Sequence, residues 1–378
     1  MKKNFKQVLV ILCVVMVMSF SLIGCGNSEV STDAKKDIPT LRMAWGYDLH
    51  TGIALTAATK GEALKDTGVY LKEIVEREKY ELISAGKSLA IIQMVVTKGS
   101  SETAVLMGQK QIDLCSNSIT GMMFARDQGT SVKVICPVHT DGIGMVFAPD
   151  TDIRGWDAVK AYINQSPNPV KIGYHSPTSA PRVVVESSLK GAGFKVTENP
   201  TDSSADVLLV DLKGATNLLP SLSGKQVEAW VGPSHYPEAA EVQGVGNIAI
   251  SLHEFPPAGQ WYDFPCCVLA AREEIVQNHP EIIQAMAQLF TNTAQWSNEN
   301  KAETAQNHAE IIGIPVEAVE KTTLVFTTQP TEKWMDGVEI YVDALNEMDK
   351  FEGNLKNKSF AEIKAELIDF TFIDKVDR

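Results

Sequence analysis

The residues of this chain best suited to chemistry are hydroxyls gathered at the ends of apolar segments. Ser176, Thr178 and Ser179 stand just ahead of Pro181 and an apolar-periodic stretch at residues 180–190. Oxygens placed there cap a helix, and proline is tolerated in a first turn because its missing N–H would have no partner anyway. The free amides of such a turn also bind anions. Cys115-Ser116-Asn117-Ser118 repeats the pattern, following strand-like residues 112–116 and preceding a helical stretch at 121–126. Capping alone and capping plus ligand contact both stay open for these turns.

Five further groups join the candidate set. In Trp45-Gly46-Tyr47-Asp48-Leu49-His50, Gly46 permits close backbone approach and the aromatic rings suit an apolar part of a ligand. Trp45 in the core and His50 on the surface is the competing assignment. Trp230 to Tyr236 follows another strand, with Ser234 favoured over His235 as a contact. Arg182 matches the oxygen array of a sulfonate or carboxylate, or points to solvent. Tyr262 and Asp263 occupy an expected hinge, where Asp263 suits a ligand amine or serves as a structural cap. His139 and Thr140 sit at the other crossing between lobes and complete the set of ligand candidates.

Positioning these groups needs strands that end together. Strand-like residues at 41–45, 80–84, 91–96, 112–116 and 132–137 alternate with helical stretches from 52, at 101–107 and at 121–126, which argues for an α/β sheet. A second series follows, with helices at 156–163 and 180–190 and strands near 170–174, 194–197, 207–211, 227–231 and 248–252. Beyond 273 the pattern turns helical, at 280–296, 302–312, 316–324 and 333–348, with Gly313-Ile314-Pro315 as a break. The Gly-punctuated segment 139–147 and the Pro- and aromatic-rich segment 255–268 mark two crossings, hence a hinge. The expected division is residues 39–142 with 266–350 as one lobe, 143–265 as a second, and 351–378 as a charged C-terminal extension.

The chain start is read separately. Lys2, Lys3 and Lys6 precede an apolar run over residues 8–23, a signal segment at the short edge of what spans a membrane. Leu22-Ile23-Gly24-Cys25 resembles the lipobox of bacterial lipoproteins. That resemblance implies cleavage after residue 24, a lipidated Cys25 and attachment to the outer face of the cell membrane. Residues 25–38 read as a flexible tether.

Composition closes several function classes. The formal net charge is −13, and −16 once the three lysines of the signal are gone, since no acid precedes Cys25. Such a surface does not suit nucleic acid. It leaves open a small buried anion, which answers to local donors. No nucleophile elbow, P-loop, H-E-x-x-H or dinucleotide fingerprint occurs, so neither catalysis nor a cofactor is expected. His50, His139, His175, His235 and His253 fall near strand ends at spacings that match no helix-borne metal pair, so no metal ligand is assigned. Cys266 and Cys267 are expected to be small buried hydrophobes whose side chains face opposite ways.

On the two-lobed layout of residues 39–348, and above all on residues 170–182 (VKIGYHSPTSAPR), the chain resembles the solute receptors of nitrate, taurine and aliphatic-sulfonate importers. These are periplasmic-binding-protein-like proteins of type II. The resemblance implies an α/β fold of two hinged lobes with a mainly helical C-terminal region. It also implies a small anionic ligand held between Ser116–Ser118 and Ser176–Thr178, and delivery to an ABC permease with its ATPase subunit. The protein is expected to act as a monomer. Two alternatives stand beside this: a pyrimidine receptor or thiamine-pyrimidine-synthase-like enzyme of the same fold, and a metal-binding receptor.

Overall fold

The computed structural model describes residues 38–376. The expected signal segment, Cys25 and the tether to residue 37 lie outside the described residues.

One sheet takes up β1 (Thr40–Trp45), β2 (Val69–Val75), β3 (Lys79–Ser84), β4 (Lys87–Val96), β5 (Leu114–Ser118) and β6 (Val132–Pro137). Helices α1 (Gly52–Lys60), α2 (Ser100–Gly108) and α3 (Ile119–Asp127) run between them. The short β7 (His139–Thr140) leads out to a second sheet made of β8 (Ile143–Phe147), β9 (Val170–Tyr174), β10 (Val196–Thr197), β11 (Val207–Asp211), β12 (Ala229–Pro233) and β13 (Asn247–Ser251). With it go α4 (Gly155–Gln165), α5 (Ala180–Gly191), α6 (Leu218–Ser223) and α7 (Tyr236–Val242). The chain returns through β14 (Cys267–Arg272) and then α8 (Glu273–Asn278), α9 (Pro280–Glu299), α10 (Lys301–Ile312), α11 (Val316–Glu320), β15 (Val325–Phe326), α12 (Glu332–Glu347) and α13 (Phe360–Leu367).

The first sheet has the order β2-β3-β4-β1-β5-β14-β6 and the second β10-β11-β9-β12-β8-β13. In the first, β1 runs parallel to β4 and β5. In the second, β10, β11, β9 and β12 are all parallel. Ligands of such sheets bind beyond the carboxyl ends of parallel strands, which here are Trp45, Ser118, Tyr174, Asp211 and Pro233. The two crossings are stitched together: Asp141 N donates to Phe264 O at 3.0 Å, and Phe264 N donates to Asp141 Oδ1 at 3.0 Å.

Alternation explains β1, where Leu41 and Met43 are buried while Arg42 reaches the Asp113 carboxylate at 3.0 Å. It fails for β2, whose last four residues are exposed, so that the strand has no period-two signature along half its length. In α9 the buried Ile282, Ile283, Met286, Leu289 and Phe290 form one stripe against the core.

The charged C-terminal region is more than an appendage. Phe351, Leu355, Ile363 and Leu367 are buried in the main core. Asp127, at the end of α3 and 2% exposed, takes the amides of Glu352, Gly353 and Leu355 on its carboxylate at 2.8–3.1 Å. Gly353 is required there, because a Cβ would stand 2.2 Å from the Asp127 carbonyl oxygen. Farther on, Ile368 bridges Val134 of β6 in parallel, and Asp369 N donates to Val134 O at 2.9 Å.

Candidate functional site

The strand ends of both sheets border a cavity of about 530 Å³. From the first sheet come Trp45, Gly46, Asp48, His50, Ser116, Asn117 and Ser118; from the second come His175, Ser179, Gly214, Asn217 and Tyr236. β1 ends at Trp45, and its parallel neighbour β5 carries Ser116–Ser118 as its last three residues, which is why these groups share one wall. On the facing wall β9 ends at Tyr174, and His175 opens the turn that leads into α5.

Three buried polar atoms in these walls have no hydrogen-bond partner in the protein: Trp45 Nε1, Ser116 Oγ and His175 Nδ1. A buried polar group without a partner is costly, and native proteins rarely leave one without a reason. Burial, with a smaller contribution from the charge of His50, pushes His175 down to about 4, so it is neutral at physiological pH. Burial pushes the Asp48 carboxyl up, offset in part by His50.

Ser176 and Thr178 meet the other lobe directly. The Ser100 hydroxyl lies 2.9 Å from Thr178 Oγ1, and the Ser101 hydroxyl lies 2.9 Å from Ser176 Oγ. Thr120 Oγ1 donates to the Thr178 carbonyl at 2.7 Å. Gly99, at φ 148°, lets α2 begin against this cluster, since a Cβ would lie 3.2 Å from that of Ser176. Of these hydroxyls only that of Ser100 lines the cavity; Ser176 and Thr178, expected as ligand contacts, spend their oxygens on hydrogen bonds between the lobes instead.

Several residues singled out in the sequence lie elsewhere. Arg182 is buried in ion pairs with Glu186 at 3.0 Å and Glu198 at 2.9 Å, because the turn of α5 that brings Ser179 to the cleft carries Arg182 away from it. Trp230, the second residue of β12, is fully buried in a separate apolar cluster. Ser234 donates to Glu238 Oε1 at 2.7 Å, so its hydroxyl is spent on the first turn of α7. Tyr262 is exposed and stacks on His253, with ring centroids 4.0 Å apart, while exposed Asp263 pairs with Lys333. His139 and Thr140 are buried below the cleft in β7, which pairs with β15.

The unforeseen members are Asp48, Ser100, His175, Asn217, Tyr236 and the Cys266-Cys267 pair. A signal for the Asn217 loop was present: Lys213-Gly214-Ala215-Thr216-Asn217 follows β11 and precedes α6, the same strand-to-polar-turn-to-helix order as the other walls. The cysteines need a correction. β14 starts only at Cys267, so Cys266 precedes the regular alternation and both thiols converge on His50, at 3.2 and 3.8 Å from its Nδ1. Burial opposes ionisation of Cys266, but hydrogen bonding from Cys267 and the charge of His50 hold its thiol well below the usual range. One donor atom each from His50, His139, Cys266 and Cys267 lies within 4.8 Å of the others.

Residues 53–313 match the NMT1-like family. Over 126 residues the chain is 32% identical to an uncharacterized protein of Methanocaldococcus jannaschii, a match covering 33% of this chain and 83% of that one. Among solved structures it is similar to the periplasmic nitrate-binding protein NrtA from Synechocystis PCC 6803, with a TM-score of 0.66 and 14% identity over 90% of this chain and 88% of that one. The alkanesulfonate-binding protein SsuA from Xanthomonas axonopodis pv. citri bound to MOPS gives a TM-score of 0.63 at 11% identity, over 86% of this chain and 97% of that one. At such identities the likeness is one of fold, the two-lobed periplasmic-binding-protein arrangement with a helical C-terminal region.

Proposed function

Because the chain belongs to the NMT1-like family, we propose that it is the solute-binding component of an ABC-type importer. It takes a small anionic solute of the sulfonate, taurine or nitrate kind between its lobes and delivers it to a membrane permease driven by an ATPase subunit. The observation that carries this reading is the set of partnerless polar atoms on facing walls: Trp45 Nε1 and Ser116 Oγ on one side, His175 Nδ1 on the other. A solute touching both walls favours closure, because only contacts made better in one state shift the balance between states. Half-buried Asp48 in the same cavity favours a solute that also offers an ammonium or N–H group, as taurine does. The protein works as a receptor, held at the outer face of the membrane by a lipid on Cys25. Among the described residues no helix is long and apolar enough to cross a membrane.

A thermal-shift screen tests this. A solute present at about 100 times its dissociation constant adds roughly 2.7 kcal/mol to folded-state stability. Sulfonates, taurine and nitrate are the compounds expected to give it; a flat response to all of them at millimolar concentration refutes the proposal.

Ser116→Ala separates ligand binding from folding. Deleting a buried hydroxyl that lacks a partner is expected to raise the stability of the solute-free protein by about 1 kcal/mol. The same change should weaken solute binding about tenfold, because a hydrogen bond completed only by the solute is lost, roughly 1.4 kcal/mol. Calorimetric titration together with urea unfolding reads both signs. A loss of stability with unchanged affinity shows that Ser116 serves the sheet alone.

A further inference from the structure

The group where the two crossings meet has a use the solute reading does not absorb. His50 comes from the turn after β1, His139 from the outward crossing, and Cys266 and Cys267 from the start of the return strand. The two imidazoles meet edge to face, with centroids 4.2 Å apart. One nitrogen of each ring is committed to a main-chain carbonyl: His50 Nε2 lies 2.7 Å from Gly142 O, and His139 Nδ1 lies 3.3 Å from Thr140 O. A carbonyl only accepts, so these nitrogens carry the ring protons. His139 Nε2 is left with a bare lone pair, and His50 Nδ1 offers one whenever its ring is neutral. His50 Nδ1 faces both thiols, and His139 Nε2 has no hydrogen-bond partner although its ring is fully buried.

Histidines that ligate metals show this arrangement, with the far nitrogen oriented by a carbonyl or carboxylate. We propose that His50, His139, Cys266 and Cys267 form a four-coordinate site for a borderline-soft divalent metal ion of the zinc class. Two thiolates and two imidazoles select such an ion over magnesium or calcium, which demand oxygen ligands. Zinc binds imidazole nitrogen at about 2.0–2.1 Å and thiolate sulfur at about 2.3 Å. In a tetrahedron these lengths put donor atoms roughly 3.3–3.8 Å apart. The donors here already lie within 4.8 Å of one another, so side-chain adjustment rather than refolding completes the shell. On binding, the two sulfurs enter as thiolates and their protons leave to solvent, with no change of oxidation state. Because His50 and both cysteines line the cleft, the ion enters from the solute side, and once bound it clamps the outward and return crossings to β1.

The test is a titration of the purified chain, kept reduced by a phosphine, with cobalt(II) and then zinc(II). One equivalent of cobalt should give thiolate-to-metal charge-transfer absorption and the intense d–d bands of a tetrahedral ion, and one equivalent of zinc should bleach both. The Cys266→Ser, Cys267→Ser double variant should lose the charge-transfer band, and His139→Gln should weaken binding at least tenfold. His279→Gln, at the junction of α8 and α9 and outside the cleft, should leave the titration unchanged. If the cysteine variants fail to fold, alkylation of the native chain decides: zinc should protect Cys266 and Cys267, and a chelator should restore their reaction. Cobalt bound without a charge-transfer band, zinc bound equally by the double serine variant, or alkylation of the native chain indifferent to zinc each overturns the site. Solute affinity is measured on metal-free protein, so failure of either proposal is seen separately from the other.

Discussion

Replacing Asp127 with alanine is expected to lower the unfolding free energy by about 3–5 kcal/mol, because three amides would lose a buried carboxylate and each costs about 1–3 kcal/mol when left unsatisfied. The amides belong to Glu352, Gly353 and Leu355, in the segment that carries Phe351 and Leu355 into the core. The sum stops short of three full penalties because a loosened loop can turn some of its amides to water. Asp127→Asn should fall between, keeping one acceptor oxygen and turning a carboxamide N–H donor toward the donor amides. Urea midpoints for the two variants and the native chain read the order directly. Equal stability of Asp127→Ala and the native chain would show that apolar packing alone holds the tail.

Arg182→Met is expected to cost about 3 kcal/mol while leaving solute affinity within about twofold, the low end of what breaking a buried pair costs. The loss is limited because Lys190 and Lys350 remain on Glu186, at 2.9 and 3.2 Å. Burial opposes ionisation of Glu186, but Arg182 foremost and then the two lysines hold its carboxyl below the ordinary 4.5. A folded-state value below the unfolded one gives stabilisation that is full above pH 4.5 and lost as pH falls through the folded value. The gap between the native chain and the variant should therefore narrow in acid. A gap that stays constant with pH, or a large loss of solute affinity, would return Arg182 to the binding site.

Arg182 also shows where the sequence stops being readable. Its type suits an oxyanion, and its place one turn past a hydroxyl-rich loop looked suitable. Whether it faced the cleft or the helix flank depended on Glu186 and Glu198, the latter sixteen residues away across a strand. The parallel strands of the second sheet were legible because β9, β11 and β12 are short apolar runs bounded by turn residues. On the wall of Trp45, Gly46, Ser116, Asn117 and Ser118 the end of β1 at Trp45 was legible, but β5 runs two residues past its expected end at 116, because Ser116–Ser118 stay in the strand after its apolar run has stopped. β2 was not legible, because half of it faces solvent. The meeting of His50 with Cys266, 216 residues apart, left no trace in local spacing, and the alternation rule misled at Cys266 because that residue precedes the strand.

The bridge from Ile368 to Val134 has a consequence for the molecule among its own copies. β6 is the outermost strand of seven, and its open side is a row of amides and carbonyls able to template a foreign strand. Residues 368 and 369 occupy part of that row, so the chain carries its own guard against self-association. A molecule clipped after residue 350 would exchange that guard for an adhesive rim.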